Sequence, residues 1–128
     1  MRRTKYAFAV LLVLLLGVSV EGCASAGNVS AGQGAAAALR VENHNFNDVD
    51  VFAVPPGGVP QRLGIVTGAS SGTFVLPRTL IATLPVRIIA VPIGGFGAAG
   101  SGPLTIYAGQ TVVFTVEADL HLSSAVVR

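Results

Sequence analysis

From Leu39 onward, apolar residues recur at every second position, the period of a strand with one buried face. The clearest run is 111–122, where Val112, Phe114, Val116, Ala118, Leu120 and Leu122 alternate with Thr111, Val113, Thr115, Glu117, Asp119 and His121, so one long strand is predicted there. Further strands are predicted at 39–43, 48–54, 61–67, 73–77, 86–93, 103–107 and 124–127, separated by clusters of Gly, Pro, Asn and Ser. Val86 to Val91 is apolar on both faces and reads as a central strand. No stretch beyond residue 39 carries a helical period over ten residues. Seven or eight short antiparallel strands with turn signals at this spacing predict an all-β domain over 39–128, a single immunoglobulin-like β-sandwich, with a small barrel as the alternative.

Inward alternation assigns the core to Leu39, Val41, Val49, Val51, Leu63, Ile65, Phe74, Leu76, Ile88, Ala90, Leu104, Ile106, Val112, Phe114, Val116 and Leu120. In 48–54 the phase is open, because Phe52 and Val54 compete with Val49 and Val51 for the inner face.

The N-terminal residues have a different pattern. Arg2, Arg3 and Lys5 precede an apolar run from Tyr6 to Val20, then small residues. That run falls short of the ~20 apolar residues a membrane-spanning helix needs and has the form of a signal peptide, assigned to 1–22. Val20-Glu21-Gly22-Cys23 resembles the lipobox of bacterial lipoproteins, in which the Cys thiol is acylated and the Cys becomes the new N-terminus. Val20 and Gly22 fit, whereas Glu21 stands where a small or β-branched neutral residue is usual. Ala24-Ser25-Ala26 offers ordinary signal peptidase a rival A-x-A site. The single Cys of the chain favours lipid attachment at Cys23, since it has no partner for an internal disulfide. Residues 23–38, nearly all Ala, Gly and Ser, form a tether with a mean reach on the order of 20 Å.

Composition narrows the chemistry. The formal charge of +2 comes from the signal segment, for beyond Cys23 five Arg face five acidic residues and there is no Lys. A nucleic-acid partner is excluded on that ground, because phosphate neutralisation needs a stripe of cations. The domain has no Cys or Trp, so an antibody-type disulfide pin and a blue-copper site are both ruled out.

The segments LRVENHNFNDVDVFAV (39–54), QRLGIV (61–66), PIGG (92–95) and YAGQTV (107–112) together resemble a group of small bacterial lipoproteins built of one β-sandwich. The resemblance covers most of 39–122. It implies the fold and the anchor, and carries over neither an activity nor a catalytic residue.

Three motifs match known chemistry on paper. Gly68-Ala69-Ser70-Ser71-Gly72 fits G-x-S-x-G, with Asp119 and His121 coming after it in triad order, but strand-like flanks make it a β-turn rather than a strained strand-to-helix elbow. Gly95-Phe96-Gly97-Ala98-Ala99-Gly100 fits G-x-G-x-x-G, yet Ser101-Gly102-Pro103 offers no helix N-terminus for a pyrophosphate. Glu117, Asp119 and His121, on one face of a straight strand, are spaced too widely to meet on one metal. Asn43, His44, Asn45, Asn47 and Asp48 could offer oxygens to a hard cation, although Asn and Asp are equally what a tight turn selects. No catalytic residue, metal or cofactor is therefore assigned.

Strand reversals divide the loops between two ends. Loops 43–47, 68–72 and 94–102, rich in Gly, Asn and Ser, share one end, while 55–60, 77–85 and 108–110 share the other with the tether. Phe46, Phe96 and Asn45 are candidate partner contacts at the first end. The more common behaviour of apolar side chains favours the alternative that both rings plug the sandwich. The expectation is an exported, lipid-anchored envelope protein, directed to the outer membrane and facing periplasm or surface. Its β-sandwich would be a non-enzymatic binding or structural module for an envelope protein or a glycan. Its rival is a small envelope hydrolase or metal-dependent enzyme using Ser70 or His44/His121, and the rival location is soluble periplasmic or secreted after cleavage at Ala26.

Overall fold

The computed structural model describes residues 36–81 and 85–128. The predicted signal peptide, Cys23 and the tether up to residue 35 lie outside the described residues. Eight strands are formed: β1 Ala37–Asn43, β2 Val49–Val54, β3 Gln61–Val66, β4 Ser70–Leu76, β5 Val86–Pro92, β6 Ala99–Leu104, β7 Thr111–Val116 and β8 Ser124–Val127, with single 3-10 turns at Arg78–Leu80 and Leu120–Leu122. They build two four-stranded sheets, β4-β1-β7-β8 and β3-β2-β5-β6. The chain is all-β, a β-sandwich as its alternation implies.

All pairings are antiparallel except one. β1 runs parallel to β7 at the centre of its sheet, with Leu39 opposite Val112 and Val41 opposite Phe114. A parallel pair requires both strands to start from the same end, so the connection between them must traverse the fold. Here five strands and both sheets intervene, and the first and seventh strands lock opposite ends of the sequence together.

The core lies between the sheets. Leu39, Val41, Val112, Phe114 and Val116 face Val49, Val51, Ala53, Ile88 and Ala90, all fully buried. The phase of β2 is thereby settled: Val49, Val51 and Ala53 point inward, and Phe52 and Val54 are half-buried on the outer face. Leu80 and Ile81 close the core from the turn after β4, a contribution that strand alternation does not reveal.

Five expectations are corrected. Ile65 is 49% exposed, because the register between β2 and β3 shifts at Val51/Phe52 and leaves Leu63 unpaired, so that Val66 and Gly64 take the inward positions. Gly64 has no side chain there for a reason, since a Cβ would collide with the Phe74 ring. Leu63, Phe74, Leu104 and Leu120 pack against the core from half-buried positions rather than within it. The predicted strand 103–107 is displaced to Ala99–Leu104, where Ser101 Oγ accepts a hydrogen bond from the Ile88 amide at 2.9 Å. The predicted strand 111–122 stops at Val116: Ser123 Oγ takes the Glu117 N–H at 3.0 Å, and the Asp119 carboxylate takes the His121 N–H at 3.1 Å. These side chains supply the backbone with partners that a sheet would otherwise provide, and the chain turns back into β8. β1 also begins at Ala37, within the predicted tether, and buries that residue.

Replacing Phe114 by Ala should cost about 3 to 5 kcal/mol of unfolding free energy, measured in chemical denaturation. Ile65→Ala should cost less than about 1 kcal/mol. A reversal of that order would place the two side chains on the wrong faces.

Candidate functional site

The end of the sandwich away from chain entry is organised by asparagines. Asn43, the last residue of β1, is 1% exposed. Its Nδ2 donates to the carbonyls of Asn47 at 2.9 Å, Val66 at 3.3 Å and Thr67 at 3.1 Å, and its Oδ1 accepts the Asn45 N–H at 3.0 Å. Two hydrogens serve three acceptors, so the amide ties the 43–47 loop to the end of β3 at one point. Asn45 repeats the device one step on, with Oδ1 accepting from the Asn47 N–H at 3.0 Å and Nδ2 donating to the Ala118 carbonyl at 3.4 Å. Asn47 Nδ2 reaches the Ile93 carbonyl at 3.4 Å, and Asp48 Oδ1 accepts the Gly68 N–H at 2.9 Å. The 43–48 loop is thus fastened to all three of its neighbours at this end, 66–69, 93 and 116–118.

Those bonds engage the Oδ1 atoms of Asn43, Asn45 and Asp48, among the oxygens that suggested a cation site. The amides are engaged with backbone groups, the role that turn chemistry assigns to Asn and Asp. Among the described residues no three His, Cys, Asp or Glu side chains lie together. Glu117, Asp119 and His121 do not share a strand face, because β7 has ended before them. Glu117 instead accepts from His44, Nδ1 to Oε2 at 3.2 Å, an ion pair whenever the imidazole is protonated.

The serine motif is a turn. Ser70 opens β4, its hydroxyl donates to the Thr67 carbonyl at 2.9 Å, and Ala69 before it has a φ of 52°. Gly68 is required for a reason unrelated to a nucleophile: a Cβ would run into the Phe46 carbonyl, where the two loops touch backbone to backbone. His44 and Ser70 do line one shallow depression, but no hydrogen bond joins them. The G-x-G-x-x-G segment is likewise a loop that runs into β6, with Gly97 at a φ of 83° and no helix after it.

Phe46 is 90% exposed and Phe96 99% exposed, so neither ring plugs the sandwich. The end is already closed by the buried Asn43 amide, which leaves no apolar opening for an aromatic ring to fill. Between the loops lies a cleft of about 510 Å³, bounded by Asn45 and Asn47, by 92 and 95–98 including Phe96, and by 118–121. Asp119, His121, Pro92 and Leu120 line it, and strand alternation singles out none of them for this place. The chain enters at the opposite end, where the Ala36 carbonyl accepts from the Gly109 N–H at 3.2 Å. A second cleft of about 340 Å³ at that end is walled by Pro55, Pro56, Pro85, Pro103 and Arg87.

No protein-family model matches the chain, and no curated protein is similar to it. Among solved structures it is similar to the NMR structure of a protein from Eubacterium rectale, with a TM-score of 0.45 and 11% identity over 72% of this chain and 87% of that one. A likeness of this size bears on neither the site nor an activity. The fold and the loop end define a small β-sandwich that presents two aromatic rings and a cleft away from its point of chain entry.

The double replacement Phe46→Ser, Phe96→Ser should leave unfolding free energy within about 0.5 kcal/mol of the parent, because neither ring is packed. Asn43→Ala should cost about 2 to 4 kcal/mol, since it strands buried backbone carbonyls. Denaturant titration of the two variants side by side checks both, and the opposite ranking would mean that the rings, not the amide, close this end.

Proposed function

We propose that the chain is an exported bacterial envelope protein, anchored by lipid at Cys23 and directed to the outer membrane, whose β-sandwich is a non-enzymatic binding or structural module. The observation that carries the module is the exposure of Phe46 and Phe96 beside a cleft, at the end opposite the one where the tether joins. A domain tethered at one end offers its other end to the surroundings. Binding residues commonly sit on loops positioned by a rigid scaffold. The anchor is supported by the cationic start, the short apolar run and the single Cys that comes after it. Several acyl chains at ~0.8 kcal/mol per buried methylene would hold the protein to the bilayer for good.

A hydrolase remains the rival. Its favouring observation is that Glu117 orients His44 close to Ser70. Against it, the Ser70 hydroxyl is spent on the Thr67 carbonyl, and a nucleophile must be bonded to its base. Ser70→Ala should leave any esterase signal at the level of the parent.

The anchor is checked by growing cells on a clickable palmitate analogue. Wild-type protein should take up the label and sediment with membranes, and Cys23→Ser should lose both. A mature species that starts at Gly27 without lipid would overturn the anchor.

A further inference from the structure

We propose that the cleft between Phe96 and Asp119 binds a neutral saccharide, a ligand class that deepens, and rests on, the reading of this end as the binding surface. The cleft has a volume of about 510 Å³, within the range of small-molecule sites. Its groups are of two kinds. Phe96 offers a bare ring face, with Pro92 and Leu120 as further apolar wall. The face of an aromatic ring is electronegative and attracts the positively polarised C–H bonds that one side of a pyranose presents.

Around that ring stand polar groups with hydrogen-bonding capacity to spare. Asp119 uses one carboxylate oxygen on the His121 N–H and leaves the other open. The side-chain Oδ1 of Asn47 takes no hydrogen bond from the described residues, nor do the ring nitrogens of His121 give one. Acceptors and donors therefore both stand around an apolar platform, as a polyol needs, since each hydroxyl both donates and accepts.

Charge selects against the other small ligands. The acids Asp48, Glu117 and Asp119 gather at this end, while Arg78, Arg87 and Arg128 lie toward the other, Arg87 beside Val54 and Arg128 beside Thr111. A phosphate or carboxylate would enter a negative field with no Arg or Lys in the cleft to receive it. A purely apolar ligand would leave the carboxylate desolvated and unpaired.

The test uses the full-length protein, extracted in a detergent without a sugar headgroup, and saturation-transfer NMR with maltotriose, cellotriose, mannotriose and tri-N-acetylchitotriose at millimolar concentration. At least one should show transfer concentrated on axial ring protons. Phe96→Ala should weaken it about ten-fold with an unchanged melting temperature. Asp119→Asn, which keeps the hydrogen bond to His121, should weaken it several-fold. A trisaccharide of galacturonic acid should bind less well than its neutral counterpart and recover with salt. No transfer from any of the four neutral sugars, or binding indifferent to Phe96→Ala, overturns the proposal. Palmitate labelling is read on the same preparation. Lost sugar binding with the label intact overturns only the ligand class, and sugar binding by an unlabelled protein overturns the anchor and leaves the cleft standing.

Discussion

A carboxamide buried at the end of a strand constrains this fold more than any apolar contact does. Asn43 is the one buried polar side chain among the described residues, and a buried amide without partners costs on the order of 1 to 3 kcal/mol. It has partners only if β1, the 44–47 loop and the end of β3 meet at one place, and no buried side-chain polar atom among the described residues lacks one. The apolar core is tolerant by comparison, because a sandwich of Val, Leu and Ile can slide or repack at modest cost. The amide cannot slide, and it fixes the register at the end where the loops gather.

The placement of the aromatic rings is a consequence of that constraint. With the end sealed by hydrogen bonds, Phe46 sits on a loop whose neighbours Asn45 and Asn47 are both tied inward. The backbone bonds leave its ring outside, and Gly68 allows the next loop to lie against its carbonyl. Polar side chains do the closing and apolar ones do the presenting, the reverse of the usual division.

The sequence made the sandwich legible wherever side chains carry the pairing. β1 and β7 read directly from alternation, because each buries one face against the opposite sheet, whereas β5 read as a central strand from its two apolar faces and β2 was legible as a strand but not in its phase. β6 was not legible, since it pairs through backbone groups and its residues, Ala-Gly-Ser-Gly-Pro-Leu, carry little apolar period. The overrun past Val116 has the opposite cause: 117–122 keeps the strand period, but Asp119 and Ser123 compete for the same backbone donors. At the loop end, the count of strand reversals pointed to Phe46, Phe96 and Asn45 but could not tell a plug from a presented ring. That distinction depends on Asn43, and an Asn at a strand end has the same appearance whether it caps a turn or closes a domain. The cleft was illegible because its walls come from three loops far apart in the chain.

Electrical neutrality conceals a further asymmetry with consequences for how such a domain can work. Arg40 and Glu42 pair at 3.0 Å in mid-strand, and Arg62 pairs with Asp50 at 2.6 Å, so four of the charges cancel locally and, being half-exposed, add little to stability. Among the described residues Arg87 and Arg128 also lie toward the end where the chain enters, and Asp48, Glu117 and Asp119 toward the far end, which gives a charge gradient along the strands. Anionic lipid attracts cationic residues near its surface and repels acidic ones, over a distance of about a Debye length. On the proposed lipid anchor at Cys23, that field and the tether would act in the same direction. The acidic loop end would then be turned outward, which would keep the aromatic rings of Phe46 and Phe96 away from a bilayer that would otherwise compete for them.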